Sequence, residues 1–299
     1  MELRQLEYFV AVAEEAGFTR AAARVHVAQP GVSAQIRRLE RELGQELFDR
    51  SGRTVRLTEV GAAVLPYARA ALDAVAGVRL AVDELTGLVR GRVAVGVVAS
   101  SAALDLPDLL AGFHQRHPDV EITLCEANSD RLVESLLAGR LDIAFIGLGS
   151  TTPQGVETQV VADELLVAAV SHDHDLAARR AIPVTGLRDL PLISLPPGTG
   201  LRSRLDEACT AAGFQPRIAF EASDPQVLAQ LAARGLGVAV LPNSLATARA
   251  AHLHAIRITH PELHGRLALS WRTTGPISPA ARALIRHTRA MLGTAGRGE

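Results

Sequence analysis

The sequence has only two cysteines, contains no lysine, and is poor in aromatic residues, which make up 3% of the chain. Two isolated cysteines, Cys125 and Cys209, are too few for a disulfide framework or a zinc site, so they fit a reducing compartment. Because 48% of the residues are nevertheless hydrophobic, the composition predicts a globular protein with an aliphatic core.

Long apolar runs are also missing. No stretch approaches the roughly 20 apolar residues that cross a bilayer. Residues 1–5 are polar and of mixed charge, so we expect a cytoplasmic protein without membrane association. The chain also has neither a Gly-x-Ser-x-Gly elbow nor a phosphate-binding Gly-Lys motif, which removes two common enzyme signatures.

The chain has no excess of either charge, because its formal net charge is −1. Such a balance argues against a nucleic-acid binder, since neutralising phosphates takes an excess of basic residues on one surface. The average conceals an uneven distribution, because the first fifteen residues are acidic and no acid lies between Arg20 and Arg38. The arginines of this region are Arg20, Arg24, Arg37, Arg38, Arg50, Arg53 and Arg56. An acidic face opposed by a basic one is therefore expected.

A chain of 299 residues is longer than one hydrophobic core supports, so two or three domains are expected. Helical spacing of apolar residues predicts a first helix, formed around Leu3, Leu6, Val10 and Ala13. We expect it to end at Gly17 in a left-handed cap. Thr19 is then expected to cap a short second helix over residues 20–25.

The third helix is predicted to begin at Gln29-Pro30 and to end at Gly44. Its apolar face is expected to pack inward and consists of Val32, Ile36, Leu39 and Leu43. The opposite face is small and polar, with Gln29 at its leading tip followed by Pro30, Ser33, Ala34 and Arg37. Such a face suits insertion into a major groove, where Gln and Ser meet base edges and Arg meets guanine or phosphate.

Residues 47–57 alternate around a Ser51-Gly52 turn, which predicts a short hairpin that follows the helices as a wing. Arg53 is expected at its tip, in reach of a minor groove or a phosphate. A helical hairpin on the surface of an ordinary enzyme is the alternative interpretation of these helices taken alone.

The order of short motifs in this region closely resembles the signature of LysR-type transcriptional regulators. The matching segments are residues 18–23 (Phe-Thr-Arg-Ala-Ala-Ala), 27–36 (Val-Ala-Gln-Pro-Gly-Val-Ser-Ala-Gln-Ile), 39–40 (Leu-Glu), 43–44 (Leu-Gly), 47–50 (Leu-Phe-Asp-Arg) and 57–61 (Leu-Thr-Glu-Val-Gly). The resemblance implies double-stranded operator DNA as a partner, and Gln29, Pro30, Ser33, Gln35 and Arg53 as residues that touch it, with Arg37 beside them. It also implies a homodimer or homotetramer and a contact with RNA polymerase.

Residues 59–88 form the connector, and their apolar residues are spaced alternately by four and three, as in a heptad seam. The seam consists of Val64, Ala68, Ala71, Val75, Val78, Val82 and Leu85. A partner helix from a second chain is predicted, and packing on its own domain is the alternative. Pro66 predicts a kink or a late regular start. Members of the family dimerise through this helix.

Residues 89–299 alternate strand and helix patterns, which predicts an α/β domain with a mainly parallel sheet. This part resembles the effector domain of the same family, itself similar to periplasmic solute-binding proteins. The expected architecture is an all-α winged helix-turn-helix (residues 1–58), a linker helix, and a two-lobed domain. Its lobe 1 would be 91–161 with 267–299, and its lobe 2 would be 162–266.

Small polar residues follow several predicted strands. Since helix N-termini present free amides, such loops would hold a carboxylate or phosphate in the cleft, although simple helix capping is the alternative for each. Candidate effector residues are Ser100, Ser101, Ser129, Gly147, Thr199 and Gly200, of which Ser100, Ser129 and Thr199 match loop positions that often meet the effector in the family.

Two other interpretations compete with a regulator: a solute-binding transport protein, and an enzyme on the same two-lobed fold. Neither accounts for a winged N-terminal unit. The histidines His114, His117, His172 and His174 have no convincing further ligands, so no metal and no cofactor is expected. Cys125 and Cys209 fall in different lobes, which argues against a redox switch.

Overall fold

The computed structural model describes residues 1–51, 54–85, 89–98, 104–275 and 277–295. The N-terminal unit consists of α1 (Leu3–Glu15), α2 (Phe18–Arg24), α3 (Gln29–Leu43), β1 (Phe48–Asp49) and β2 (Arg56–Leu57). The two short strands pair antiparallel, with Phe48 opposite Leu57, which is the wing that the alternating pattern predicts.

The core of this unit lies where the three helices and the wing meet. Phe9, Val32, Ile36 and Leu39 are fully buried, and the Phe9 and Phe48 rings lie 5.4 Å apart. The prediction that Leu43 packs inward is wrong. Its side chain is 39% exposed, because α3 extends past the core in its last turn.

The predicted ends of the first two helices need correction. The left-handed residue that ends α1 is Ala16 (φ 47°), and Gly17 is extended and precedes α2. Thr19 lies inside α2, which begins at Phe18 without a side-chain cap. Phe18 instead packs its ring against Phe48, so tertiary packing rather than a capping hydroxyl fixes where α2 begins.

The linker is one continuous helix, α4 (Glu59–Leu85), with Pro66 inside it. The expected late start is therefore wrong. Thr58 caps the first turn, because its Oγ1 accepts a hydrogen bond from the Gly61 amide at 3.0 Å. The helix thus begins before the proline, which is its eighth residue.

The two halves of the predicted seam lie in different surroundings. Val64, Ala68 and Ala71 pack in the core of the N-terminal unit, and Ala68 is only 2% exposed. These three residues make contacts with the core of their own chain, as the alternative interpretation has it. Val75 and Val78 lie beyond that core and are 48% and 66% exposed. The side chains of Val82 and Leu85 lie outside the described set.

The larger domain alternates helices and strands along the chain. Its elements are β3 (Gly91–Val97), α5 (Leu106–Arg116), β4 (Val120–Glu126), α6 (Ser129–Leu137), β5 (Ile143–Leu148), β6 (Val156–Val170), β7 (Ala181–Pro183), β8 (Leu192–Ser194), α7 (Gly200–Ala211), β9 (Ile218–Glu221), α8 (Pro225–Ala233), β10 (Val238–Pro242), α9 (Asn243–Ala248), β11 (His254–Thr259), β12 (His264–Arg272) and α10 (Pro279–Ala295). No helix of the described ranges is long and apolar enough to span a bilayer.

These strands form one continuous path in the order β4-β3-β5-β12-β6-β10-β8-β9, with β11 and β7 attached to β6. Two pairs of hydrophobic clusters flank it, one pair around β3, β5 and the last part of β12, the other around β8, β10 and the end of β6. The antiparallel strands β6 and β12 run through both lobes. Val161 is an extra residue between the pairs Val160–Ala268 and Ala162–Leu267, so the crossing strands carry a β-bulge there.

Several elements of the second lobe differ from the sequence prediction. The strand expected to start near Leu165 begins at Val156, and β11 and α9 had no predicted counterpart. The first ten residues of β6 are mostly half-buried or exposed and include Glu157, Asp163 and Glu164, so they lack a continuous apolar run. The pairing of β6 with β12 along their length stabilises this strand, which is a tertiary effect.

Candidate DNA interface and interlobe cavity

The N-terminal residues of α3 form an exposed surface. Gln29, Pro30 and Arg37 are exposed, and Ser33 is half-buried between them. The hydroxyl, amide and guanidinium groups of this surface, called here the reading face, match the groups that meet base edges and phosphates. Four of the six residues singled out for DNA therefore lie together.

Gln35 does not lie on the reading face. Its Oε1 accepts a hydrogen bond of 3.4 Å from Nε2 of Gln5, a residue that is 1% exposed. Gln5 in turn accepts a hydrogen bond from the Glu2 amide at 2.8 Å, and this bond is part of the capping box at the N-terminus of α1. The structure therefore places Gln35 on the side of α3 that packs on α1. Arg53 lies outside the described residues.

A buried carboxylate that the sequence prediction missed holds the wing against α3. Oε1 of Glu40 accepts hydrogen bonds from the Leu47 amide (3.0 Å) and the Phe48 amide (3.4 Å). Its Oε2 accepts from Arg50 at 2.6 Å, and the Arg50 guanidinium lies 5.4 Å from the centre of the Phe18 ring. Glu40 and Arg50 belong to the Leu-Glu and Leu-Phe-Asp-Arg segments of the signature. Their place in these segments was the sequence signal from which their pairing could have been predicted.

The start of the wing turn is ordered by Asp49. The Ser51 hydroxyl and amide donate to Asp49 Oδ1 at 2.7 and 2.9 Å, and these hydrogen bonds lower the pKa of Asp49. The same carboxylate thus sets the geometry with which the hairpin leaves β1.

In the larger domain the two lobes enclose a cavity of about 310 Å³. Residues from both lobes and from the crossing strands line it: Val98, Glu126, Ala127, Asn128, Ser129, Gly147, Ala162, Glu164, Leu195, Pro196, Thr199, Gly200, Leu201, Ser223, Pro225, Pro242, Gly265, Arg266 and Leu267. Four of the six candidate effector residues are among them, whereas Ser100 and Ser101 lie outside the described ranges.

Ser129 stands at the start of α6, whose first amides have partners within the protein. The Ser129 Oγ accepts from the Gly147 amide at 3.1 Å. Asn128, rather than Ser129, caps the helix by accepting from the Arg131 amide at 3.1 Å. The Asp130 amide donates to the Gly198 carbonyl of the other lobe at 3.3 Å. The α6 end therefore joins the lobes and offers few free donors.

The α7 end of the cavity differs. Thr199 precedes α7 without capping it, because its hydroxyl donates to the Pro196 carbonyl at 2.8 Å. The first-turn amides of α7, from Gly200 onward, have no helical partner and no side-chain cap. Capping, the alternative interpretation of both Ser129 and Thr199, does not describe either hydroxyl.

The lobes approach each other closely at Gly147 and Gly200. A Cβ atom on Gly200 would lie 2.4 Å from the Gly147 carbonyl carbon and 2.6 Å from its oxygen. The lobes meet here through backbone alone, which explains why glycine is needed at residue 200 for packing.

Charge is sparse in the cavity and comes from Glu126, Glu164 and Arg266. Glu126 is exposed, and Glu164 accepts from the Ser244 amide at 3.2 Å. Arg266 donates through Nε to Asp163 at 2.9 Å. Burial raises the pKa of Asp163, but hydrogen bonds from His264 and Arg266 outweigh it and lower that pKa. The sequence prediction missed Arg266, because it stands on a strand whose start was placed at residue 267.

The cysteines and the clustered histidines have ordinary environments. Cys125 is exposed, while burial and then the nearby Asp206 carboxylate raise the pKa of the Cys209 thiol to about 11. His174 accepts a hydrogen bond from the Leu176 amide, and His172 lies 3.1 Å from the Ala250 carbonyl oxygen. Within the described part of the chain, no three His, Cys, Asp or Glu residues are grouped to hold a metal ion.

Two family models match the chain and together cover most of it. Residues 3–62 match the bacterial regulatory helix-turn-helix protein of the lysR family, and residues 86–293 match the LysR substrate binding domain. Among curated proteins, the HTH-type transcriptional regulator ShiR of Corynebacterium glutamicum is 37% identical over 270 residues, 87% of this chain and 91% of that one. The transcriptional dual regulator GltC of Bacillus subtilis is 33% identical over 95% of this chain and 93% of its own.

Solved structures agree over nearly the whole length. Full-length OxyR of Pseudomonas aeruginosa, a point variant, has a TM-score of 0.77 and 29% identity, and the match covers 97% of this chain and 95% of that one. Full-length CbnR in complex with its target DNA has a TM-score of 0.62 and 28% identity, with 97% and 99% covered. The winged N-terminal unit, called the reading head from here on, is followed by a long linker helix and a two-lobed domain, in the same order as in these regulators. The chain belongs to the LysR family of DNA-binding transcriptional regulators.

Proposed function

We propose that a small carboxylate binds in the interlobe cavity and controls transcription by changing how the protein holds its operator. The observation that carries this proposal is the uncapped N-terminus of α7, which faces a cavity built from both lobes. Free first-turn amides and the helix dipole favour an anion at such a position. A volume of about 310 Å³ lies at the lower end for ligand pockets, so the effector is a small metabolite.

Arg266 supports the anionic character of this ligand. It is the single cation that lines the described part of the cavity, and its Nε is held by Asp163. A guanidinium fixed through Nε keeps its two terminal nitrogens for a carboxylate. Glu164 on the same lining favours a ligand that also carries a donor, such as a hydroxyl or ammonium group.

Calorimetric titration of a panel of small carboxylates, matched with their neutral amides and with phosphate esters, tests this assignment. We expect a carboxylate to bind and its amide to bind much more weakly. Arg266→Gln should reduce the affinity about tenfold, as for a charge-assisted hydrogen bond. Arg131→Gln, which removes the same charge from an exposed residue of α6 outside the lining, should bind as the wild type does. Binding of neutral compounds alone would overturn the proposal.

We further propose that the reading face of α3 reads operator bases and that two copies of the chain bind a two-fold symmetric operator. On this proposal residues 1–58 are the DNA-binding domain, 59–88 the dimerising linker and 89–299 the effector domain, with the lobes divided near the bulge in β6. The protein then acts in the cytoplasm, where operator DNA and RNA polymerase are found.

Gln29→Ala and Ser33→Ala should each weaken operator binding by about 1–3 kcal/mol, as for base-edge contacts, and leave binding to random DNA unchanged. Arg37→Gln should weaken binding to the operator and to random DNA alike. If its contact is to phosphate, the number of counterions released on binding, measured from the salt dependence of the affinity, should fall by about one. Gel shifts with operator and random duplexes measure both affinities. Gln215→Ala, an exposed amide of the effector domain, is the control. Unchanged discrimination in both Gln29→Ala and Ser33→Ala would remove the reading face from sequence recognition.

A further inference from the structure

Arg69 of the linker helix connects three parts of the chain. Its guanidinium donates through Nη2 to Oε1 of Glu14 in α1 at 2.8 Å, and through Nη1 to the backbone carbonyl of Ala138 at 3.1 Å. Ala138 is the residue at which α6 ends. One buried side chain therefore contacts both the reading head and the effector domain.

The surroundings of Arg69 are those of a fixed contact rather than a surface ion pair. Its side chain is 10% exposed, and that of Glu14 is 32% exposed. Glu14 also accepts from Arg24 of α2 at 2.6 Å, so the contact extends into the helix that precedes α3. Partial burial raises the pKa of Glu14, but hydrogen bonds from Arg69 and Arg24 outweigh it and lower that pKa.

The effector-domain side of the contact is a helix C-terminus. The last carbonyls of a helix lack intrahelical partners and carry partial negative charge, which an arginine satisfies well. Gly139 follows in the left-handed conformation (φ 67°), and a Cβ there would lie 3.6 Å from Cβ of Arg69 and 3.1 Å from Nη1 of Arg272. The left-handed conformation favours glycine at this turn, and the 3.6 Å distance, an ordinary van der Waals contact, shows that the linker helix lies against the end of α6.

The other end of α6 lies in the interlobe cavity. Asn128 and Ser129 line that cavity, and α6 spans only nine residues from Ser129 to Leu137, about 13 Å of helix. A rigid helix of this length moves as one body, so a displacement at the cavity changes the position of the Ala138 carbonyl. A rigid element whose contacts differ between two states can carry coupling between two sites.

We propose that Arg69 is a positioning residue that couples α6 to the reading head by holding the Ala138 carbonyl and the Glu14 carboxylate with one guanidinium. Operator binding then changes the environment of α6, and displacement of α6 changes the position of the reading head, since coupling is reciprocal. The inference rests on the family's DNA binding and does not depend on the chemical nature of the effector.

Amide hydrogen exchange of the full-length protein tests this coupling. The probe is a duplex selected by the wild-type protein from a random library, added at saturation as judged by fluorescence anisotropy. In the wild type, exchange in the α6 peptide should change by about fivefold or more when the duplex binds, a typical lower value for coupled sites. In Arg69→Gln and in Glu14→Gln the duplex should still bind, but this change should fall below about half of the wild-type value.

Arg140→Gln is the matched control, because Arg140 follows the same turn, is exposed, and donates to the Ser135 hydroxyl rather than to Glu14. It should respond to the duplex as the wild type does. Glu14→Gln keeps the Arg69–Ala138 contact and carries the test if Arg69→Gln does not fold. The proposal is overturned if α6 exchange in the wild type does not respond to the duplex, or if the response persists in both variants.

Discussion

Replacing Val78 with glutamate should convert a dimer into a monomer and weaken operator binding by about 100-fold or more, because bivalent attachment is lost. Val78 is 66% exposed and Val75 is 48% exposed on the part of α4 that extends beyond the N-terminal core. Apolar residues at this spacing are typical of a helix that pairs with a second helix. The glutamate would be buried in that pair without a partner, once on each side of the two-fold axis, which costs several kcal/mol.

Sedimentation velocity at micromolar concentration and operator titration measure the two effects of Val78→Glu. Ala62→Glu is the control, since it adds the same charge to an exposed residue of the same helix on the side opposite Val75 and Val78. It should remain dimeric and bind the operator normally. If Val75→Glu and Val78→Glu both stay dimeric with unchanged operator affinity, the chains associate through another surface.

Gly61→Ala should destabilise the N-terminal unit by about 3 kcal/mol, at the upper end for overpacking, and abolish operator binding near its unfolding temperature. A Cβ on Gly61 would lie 2.1 Å from the carbonyl oxygen of Leu47 and 3.0 Å from Cδ2 of Leu57. The Leu47 carbonyl already accepts from the Thr58 amide at 3.0 Å, so it cannot move away without losing the bond that joins the wing to α4.

Gly77→Ala in the same helix is the matched comparison for Gly61→Ala. No atom of the described residues lies within 4 Å of a Cβ at Gly77, so alanine there should stabilise the helix by about 0.5–1 kcal/mol. Calorimetric unfolding should show a lower transition for the N-terminal unit of Gly61→Ala and an unchanged transition for the effector domain. Equal transitions in the two variants would show that the wing and linker adjust freely around residue 61.

The reading head follows from the sequence because its determinants are local. A proline at the start of α3, a left-handed glycine at its end and buried residues spaced by three and four fix one helix and its inward face. The exposed position of Gln29, Pro30 and Arg37 follows from the same periodicity. Periodicity did not predict the position of Gln35, because its hydrogen bond to Gln5 depends on how closely α1 crosses α3.

The linker shows where periodicity stops being sufficient. Val64, Ala68 and Ala71 have the same spacing as Val75 and Val78, yet the first three pack against the chain's own core. A heptad pattern reports that a face is apolar and does not report which surface covers it. The boundary is set by how far the N-terminal unit extends along α4, which is a property of the packed helices.

For the cavity, the sequence identified Ser129, Gly147, Thr199 and Gly200 because small residues at strand ends are a local pattern. It did not identify Arg266, Glu164 or the use of the Thr199 hydroxyl within its own loop. These depend on β6 and β12 passing through both lobes and on the lobes meeting at Gly147 and Gly200. Residues far apart in the chain become neighbours only when that long-range pairing forms.

The sequence by itself determined the family, the order of the three parts, the helix α3 with its exposed polar face, and the apolar face of the linker, since each depends on residues that are close together in the chain. Only the tertiary structure decided which half of the linker face remains uncovered, which helix end in the cavity keeps free amides, and that Arg69 connects Glu14 to Ala138. The physical reason is that burial and hydrogen-bond partners are properties of surfaces brought together by folding. The chemistry of a side chain determines which partners it can bind, but folding determines which of them lie next to it.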